Sequence, residues 1–234
     1  MKPYFEDGQV TLYHGDCREV LPRLEAASVD LLVTDPPYGV NWQSGLRQLA
    51  FERMAGDDGA FPLHEALAAA LRVLRRGRHV YVFGLAEVGP LPLTSPAELI
   101  WDKGQPGPGD LTSAWARTHE RILFATHEIS KTNREDGYGR LAARLRRGSV
   151  LRCPRLNADA VTRHPTEKPV SILRELIEAS SLLGETVLDP FAGSGSTLVA
   201  AKLEARKAIG IEVEERYCEV AARRLAQQTL PLAV

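Results

Sequence analysis

The chain has 234 residues, 44% apolar and 25% charged with a formal net charge of −1, the composition of an ordinary soluble globular protein with room for one α/β domain. No apolar run reaches the ~18 residues of a membrane span and no basic-then-apolar leader opens the chain, so a cytoplasmic protein is expected and a membrane one is not. Cys17, Cys153 and Cys218 are unclustered and the histidines are scattered, so neither a disulfide framework nor a metal site is indicated.

In chain order, Val10 to His14 and Val29 to Val33 read as short buried strands, with a helix over Glu19 to Leu24 between them. The second strand runs into Asp35-Pro36-Pro37-Tyr38. Residues 39 to 58 mix Gly, Asn, Gln and Arg without a period and read as a long loop, usually functional or mobile. Leu63 to Arg75 has helical apolar spacing and a stop at Arg76-Gly77. Val80 to Gly84, Leu99 to Trp101 and Ile122 to Ala125 are the next strands, with a Gly/Pro-rich boundary at Gly104 to Gly109.

Lys131 to Arg163 carries nine Lys or Arg against three Asp or Glu, a local charge of about +6. A helix is expected within it at Arg140 to Arg147. Phosphates are neutralised locally, so such a patch suits nucleic acid even in a neutral chain, although a solvated Arg-rich helix reads the same way. Val170 to Leu183 is helical, with Pro169 in its first turn. Thr186 to Leu188 is a strand feeding Asp189-Pro190-Phe191-Ala192-Gly193-Ser194-Gly195-Ser196-Thr197, and Ser196 to Leu203 is a helix. Ile209 to Ile211 is a strand ending in Glu212, and Glu214 to Gln227 is the last helix. Strands alternating with helices predict an α/β fold, a mostly parallel sheet covered on both faces, in a single domain over 1–234 with an inserted recognition segment at 104–163.

Both Asp-Pro elements sit at the carboxyl end of a strand, where open α/β sheets bind ligands. The glycine loop has no lysine after its glycines and fails as a phosphate cradle. Gly193 and Gly195 instead let backbone approach a ligand, and the helix N-terminus behind them favours a carboxylate. Glu212 ends the following strand, the position of the acid that holds ribose hydroxyls in dinucleotide folds.

Asp35-Pro36-Pro37-Tyr38, then His164-Pro165-Thr166-Glu167-Lys168-Pro169, then the glycine loop, is a circular order that resembles the β class of S-adenosylmethionine-dependent DNA amino-methyltransferases, which act on adenine N6 or cytosine N4. The likeness runs from about Gly15 to Tyr217. It implies a Rossmann-like methyltransferase sheet with permuted motifs, and S-adenosyl-L-methionine as cofactor. It also implies double-stranded DNA as partner, a flipped-out base as substrate and no metal. An exocyclic amine is a poor nucleophile because its lone pair is delocalised into the ring. Asp35 and the Pro36 carbonyl, its direction fixed with Pro37, can hold the amine hydrogens while Tyr38 stacks on the base.

The resemblance further implies Asp16 and Cys17 at the cofactor's adenine, Thr166 and Lys168 near its methionine carboxylate, and Asp189, Phe191, Ala192, Gly193, Ser194, Gly195 and Glu212 around the rest. Phe83 either walls the base pocket or packs in the core. Glu98 to Trp101 and His119-Glu120 match weaker sheet motifs and read as structural. Arg140, Arg144 and Arg147 are the candidate DNA contacts. Aspartate at position 35 favours adenine N6; cytosine N4, RNA methylation and a non-catalytic binder are the alternatives. The chain is short for reading several bases, so either the target is short, or a homodimer shares the work, or the loop after Tyr38 contributes. A cognate restriction endonuclease is a further partner the resemblance admits.

Overall fold

The computed structural model describes residues 1–37, 61–84, 89–105, 114–116, 118–128, 147–154 and 167–227. In chain order these form β1 (Phe5–Glu6), β2 (Val10–His14), α1 (Cys17–Val20) running into a 3-10 turn, and β3 (Val29–Thr34). Next come α2 (Leu63–Val73), β4 (Leu74–Phe83), β5 (Leu93–Asp102), β6 (His119–His127) and β7 (Val150–Arg152). The chain closes with α3 (Val170–Ser180), β8 (Thr186–Asp189), α4 (Ser196–Leu203), β9 (Lys207–Glu212) and α5 (Glu215–Gln227).

Among the described residues the strands form one nine-stranded sheet in the order β1-β2-β9-β8-β3-β4-β6-β5-β7. The central strands β2, β9, β8, β3 and β4 are all parallel, while β6 runs against β4 and β5. Central parallel strands are covered on both faces, which is why β3 reads as a near-continuous apolar run. Its alternate residues serve opposite cores. Leu31 and Val33 pack with the buried residues of α3, α4 and α5, whereas Val29 and Leu32 pack with those of α1 and α2. The one charged residue of this strand, Asp30, is buried against Arg75 and Arg78 and accepts the Thr186 amide at 3.0 Å, so its charge is matched.

Three differences from the sequence expectation have local causes. Helix α2 ends at Val73, before Gly77, because Leu74 already pairs with Val29 as a strand. Gly77 then lies inside β4 at φ +77°, where the β3–β4 register slips. Strand β5 is ten residues long, but a register shift between Thr94 and Ala97, around Ser95 at φ +52° and Pro96, breaks the pattern a sequence reader would follow. Within 104–163, the expected strand at Ile122 to Ala125 is the centre of β6, and β7, which pairs in parallel with β5, is a further strand that no sequence pattern announces. Most of the expected helix at Arg140 to Arg147 lies outside the described residues.

This topology brings one edge together. The carboxyl ends of β2, β9, β8, β3 and β4 present Asp16, Glu212, Asp189, Asp35 and Phe83 in turn. Because β6 runs the opposite way, its first residues, His119 and Glu120, arrive at the same edge, beside Lys103 at the end of β5.

Candidate active site

The two Asp-Pro elements are neighbours because β3 pairs with β8, Leu32 opposite Leu188. A direct bond ties them: Thr34 Oγ1 donates to Asp189 Oδ1 at 2.9 Å. Asp189 also accepts the Phe191 amide at 3.1 Å, which folds the loop back over the strand end. Burial pushes the Asp189 carboxyl up to about 6 despite the hydrogen bonds it receives.

The glycine loop is stitched to β9. Gly193 N donates to Glu212 Oε2 and Glu214 N to Glu212 Oε1, both at 2.8 Å, while Ala192 N reaches Ile211 O at 2.8 Å. Burial raises the Glu212 carboxyl against these backbone donors. A carboxylate has about four lone-pair directions, so two remain for vicinal hydroxyls. Gly195, at φ +82°, is the N-cap of α4, and a Cβ there would stand 2.7 Å from Ala221 Cβ. Only glycine satisfies both the left-handed backbone and that approach. Within the loop, Ala192 and Ser194 are buried.

A clamp from the last helix fixes this loop from behind. Arg224 Nη1 donates to Ser194 O at 2.8 Å and to the hydroxyls of Ser194 and Ser196, both at 3.1 Å, while Nη2 pairs with Glu167 Oε1 at 2.8 Å. At the other rim Asp16 caps α1, accepting the Arg18 amide at 2.8 Å and pairing with its guanidinium, which holds the carboxyl below its usual range. Cys17 is buried, its thiol pushed up to about 12 by desolvation, so only its backbone can serve a ligand. Phe191 meets Phe61 edge-on at 5.5 Å, and Arg18 lies 5.4 Å over Phe61, an aromatic wall in which the sequence pointed only to Phe191.

The other half of the site alternates charge. Lys168 Nζ donates to Asp35 Oδ2 at 2.5 Å and lies 3.1 Å from Glu120 Oε1. Lys103 Nζ holds Glu120 Oε2 at 2.7 Å and stands 4.4 Å over the Trp101 ring. Burial works against the Lys168 charge, but Asp35 and Glu120 outweigh it and raise its pKa; burial likewise opposes the Glu120 charge, and Lys168 and Lys103 lower it. The ring of Phe83, 1% exposed, lies 5.3 Å below Lys168 Nζ, so this residue is core that also floors the charged row. Pro36 is buried and Pro37 half-buried beside Asp35.

Of the expected site residues, Asp16, Cys17, Asp35, Pro36, Pro37, Phe83, Lys168, Asp189, Phe191 to Gly195 and Glu212 share this edge. Lys168 faces Asp35 and Glu120. Arg147 pairs with Glu175 at 3.0 Å and with Glu178 on α3. Tyr38, Arg140, Arg144 and Thr166 lie outside the described residues. Among the described residues no group of three His, Cys, Asp or Glu could hold a metal ion, and no helix is long and apolar enough to cross a membrane. Lys103 and Arg224 join the site with no signal in sequence, Glu120 has only the weaker His119-Glu120 match, and Glu167 stands in the His164 to Pro169 motif with no role expected of it.

The sequence matches the DNA methylase family (N6_N4_Mtase) over residues 97–223. The chain belongs to this family. A relative of this methylase is the type II methyltransferase M2.DpnII of Streptococcus pneumoniae, 28% identical over 249 residues that cover 96% of this chain and 92% of the relative. Another is the DNA adenine methyltransferase YhdJ of Escherichia coli (strain K12), 29% identical, covering 92% of this chain and 82% of that one. Among solved structures, TTHA0409 of Thermus thermophilus in complex with S-adenosyl-L-methionine superposes with a TM-score of 0.63 at 26% identity, covering 93% of both chains. The cytosine-N4-specific PvuII DNA methyltransferase gives 0.71 at 16% identity, over 100% of this chain and 90% of that one, which speaks for the shared fold alone.

Proposed function

We propose that this methylase transfers the methyl group of S-adenosyl-L-methionine to the exocyclic N6 of an adenine flipped out of double-stranded DNA. The observation that carries the reading is the Thr34–Asp189 tie, which sets the Asp35 carboxylate beside a glycine loop backed by a helix N-terminus. The residues fit the cofactor. The amino end of α4 suits its carboxylate, Glu212 its ribose hydroxyls, and Asp16 with the Phe61–Phe191 wall its adenine. When bound there, S-adenosylmethionine supplies an electrophilic methyl carbon.

Asp35 and the Pro36 carbonyl accept the two hydrogens of the amine, drawing its nitrogen toward tetrahedral geometry and freeing the lone pair. As the nitrogen lone pair bonds to the methyl carbon, the carbon–sulfur bond would break with its electron pair returning to sulfur as a neutral thioether, and the nitrogen sheds one proton, which Asp35 takes. Tyr38 stacks on the extruded base. The remaining contribution is alignment and exclusion of water. The adenine assignment is supported by aspartate at position 35 and by the name of the Escherichia coli relative. Arg140 and Arg144 are proposed phosphate contacts. A cytoplasmic location, a restriction endonuclease partner and a second copy of the chain complete the reading.

Transfer of tritiated methyl from labelled cofactor to duplex DNA tests it, with long-read sequencing of DNA from an expressing host to identify the base. N6-methyladenine at a recurring site is expected. Asp35→Ala should abolish incorporation and keep cofactor binding. N4-methylcytosine in its place would overturn the adenine assignment, and incorporation surviving Asp35→Ala would remove Asp35 from the chemistry.

A further inference from the structure

Glu167 and Lys168, adjacent in sequence, serve different halves of the site. The Glu167 carboxylate accepts from Ser196 Oγ at 3.3 Å and pairs with Arg224, on the glycine-loop side. The Lys168 side chain, 12% exposed, turns the other way and lies between the carboxylates of Asp35 and Glu120. We propose that Lys168 is a positioning residue for the Asp35 carboxylate, and that Glu120, backed by Lys103, holds Lys168 in that place. This rests on the reading of Asp35 as the acceptor of the amine.

The physical need is plain. Asp35 must be ionised to accept one amine hydrogen beside the Pro36 carbonyl and to take the proton at the end, yet it stands next to Asp189, whose bond to Thr34 keeps it at the same strand edge. Two carboxylates at one site raise each other's proton affinity, and a cation in contact reverses that. An ammonium on Oδ2 at 2.5 Å also fixes the plane of the carboxylate, and so the direction from which a base can be gripped. Lys168 in turn is held in the row by Glu120 and rests over the Phe83 ring. A single lysine aimed at one acid would swing; a lysine between two acids, one of them anchored by a second lysine, has one low-energy position. The charged groups facing this row are therefore Asp35, Glu120 and Lys103, with Asp189 beyond Thr34.

The test compares Lys168→Met, Lys168→Arg and Glu120→Gln with the wild-type protein. For each, methyl transfer is followed against pH, and S-adenosylmethionine affinity is measured by calorimetry on the protein alone. In Lys168→Met the acid limb of kcat should move up by about one pH unit and kcat below it should fall about tenfold. Cofactor Kd should stay within about twofold, which also reports that the variant folds. Lys168→Arg should restore most of the limb, and Glu120→Gln should move it the same way by less.

A cofactor Kd raised tenfold in Lys168→Met with the acid limb in place would overturn the proposal and make Lys168 a ligand of the cofactor carboxylate. That outcome is read by calorimetry whether or not the protein methylates adenine. Failure of the wild type to label DNA strikes the functional reading instead.

Discussion

The two halves of the site edge handle charge in opposite ways. On the glycine-loop side, Asp189 and Glu212 are buried carboxylates met by backbone amides and a hydroxyl, and both are driven toward the protonated form. On the Asp35 side, Asp35, Lys168, Glu120 and Lys103 alternate in sign, and the ionised forms of Lys168 and Glu120 are favoured. In the proposed reading, a half that receives hydroxyls and a ligand carboxylate gains from short dipoles at the point of contact. In the same reading, a half that polarises a weak nucleophile gains from a carboxylate kept ionised. The same sheet provides both because its parallel ends supply the first half and the antiparallel β6 delivers an acid to the second.

The largest effect that would break this comparison is on the glycine-loop side. Gly195→Ala forces a Cβ into Ala221 and a side chain into left-handed backbone, and should destabilise the fold by about 3 kcal/mol in urea denaturation. Gly184→Ala is the control, with a similar φ of +77° but open space around it, and should lose only about 1 kcal/mol. Equal losses would mean that the close approach to α5 contributes nothing.

A titration sharpens the contrast next. Asp189 has a raised folded pKa of about 6, so its contribution to stability is full below the unfolded value near 3.8 and is lost as pH rises through 6. His79, in the core behind the Asp35 half, is bonded to Ser180 Oγ at 2.8 Å, and burial lowers it to about 4. Its contribution is present above 6.5 and is lost as pH falls through 4. The two oppose each other across that window. Asp189→Asn should therefore make the loss of stability on acidification from pH 6.5 to 4 steeper, by roughly 3 kcal/mol at most. His79→Gln should make it shallower. Melting temperature against pH reads both, and an unchanged slope in Asp189→Asn would deny the buried, raised carboxyl.

Arg224→Ala comes third. It removes the clamp behind the loop and leaves the buried Glu167 carboxylate without its guanidinium, which should lose about 2 kcal/mol, less than a wholly buried pair because Arg224 is partly exposed. Cofactor affinity should weaken while the acid limb of kcat stays in place, the reverse of the Lys168→Met pattern. A shifted limb would mean that the two halves are coupled through the Glu167-Lys168 step.

The halves also differed in how far sequence could reach them. The glycine loop, its strand, its helix and Glu212 fall within 27 residues, from Thr186 to Glu212, so spacing alone exposes them. The charged row draws on positions 35, 103, 120 and 168, brought together by strand pairings that no local pattern encodes. Asp35 was legible because two prolines follow a buried strand. Glu120 read as structural because an acid at a strand start has no signature until its partner is known. Lys168 is legible as a motif residue, but nothing local announces its contacts with Asp35 and Glu120, since a lysine four carbons long can face either way from the same backbone. The Arg224 clamp and the Phe61 wall depended on helix and loop placement in the same way.

Arg147 tests the outer boundary of the Asp35 half, and its expected effect is the smallest. The basic stretch it belongs to suits DNA, yet in the fold its guanidinium meets Glu175 and Glu178 across a partly exposed surface. Pairs of that kind contribute less than about 1 kcal/mol, so Arg147→Ala should barely move the melting temperature. The informative measurement is the salt dependence of DNA affinity, whose slope falls by about one for each phosphate contact removed. Two glutamates already neutralise this arginine, so an unchanged slope is expected, with the stretch's phosphate contacts carried by other residues such as Arg140 and Arg144. A slope lower by one would return Arg147 to the DNA face and require its glutamate partners to release it when the duplex binds.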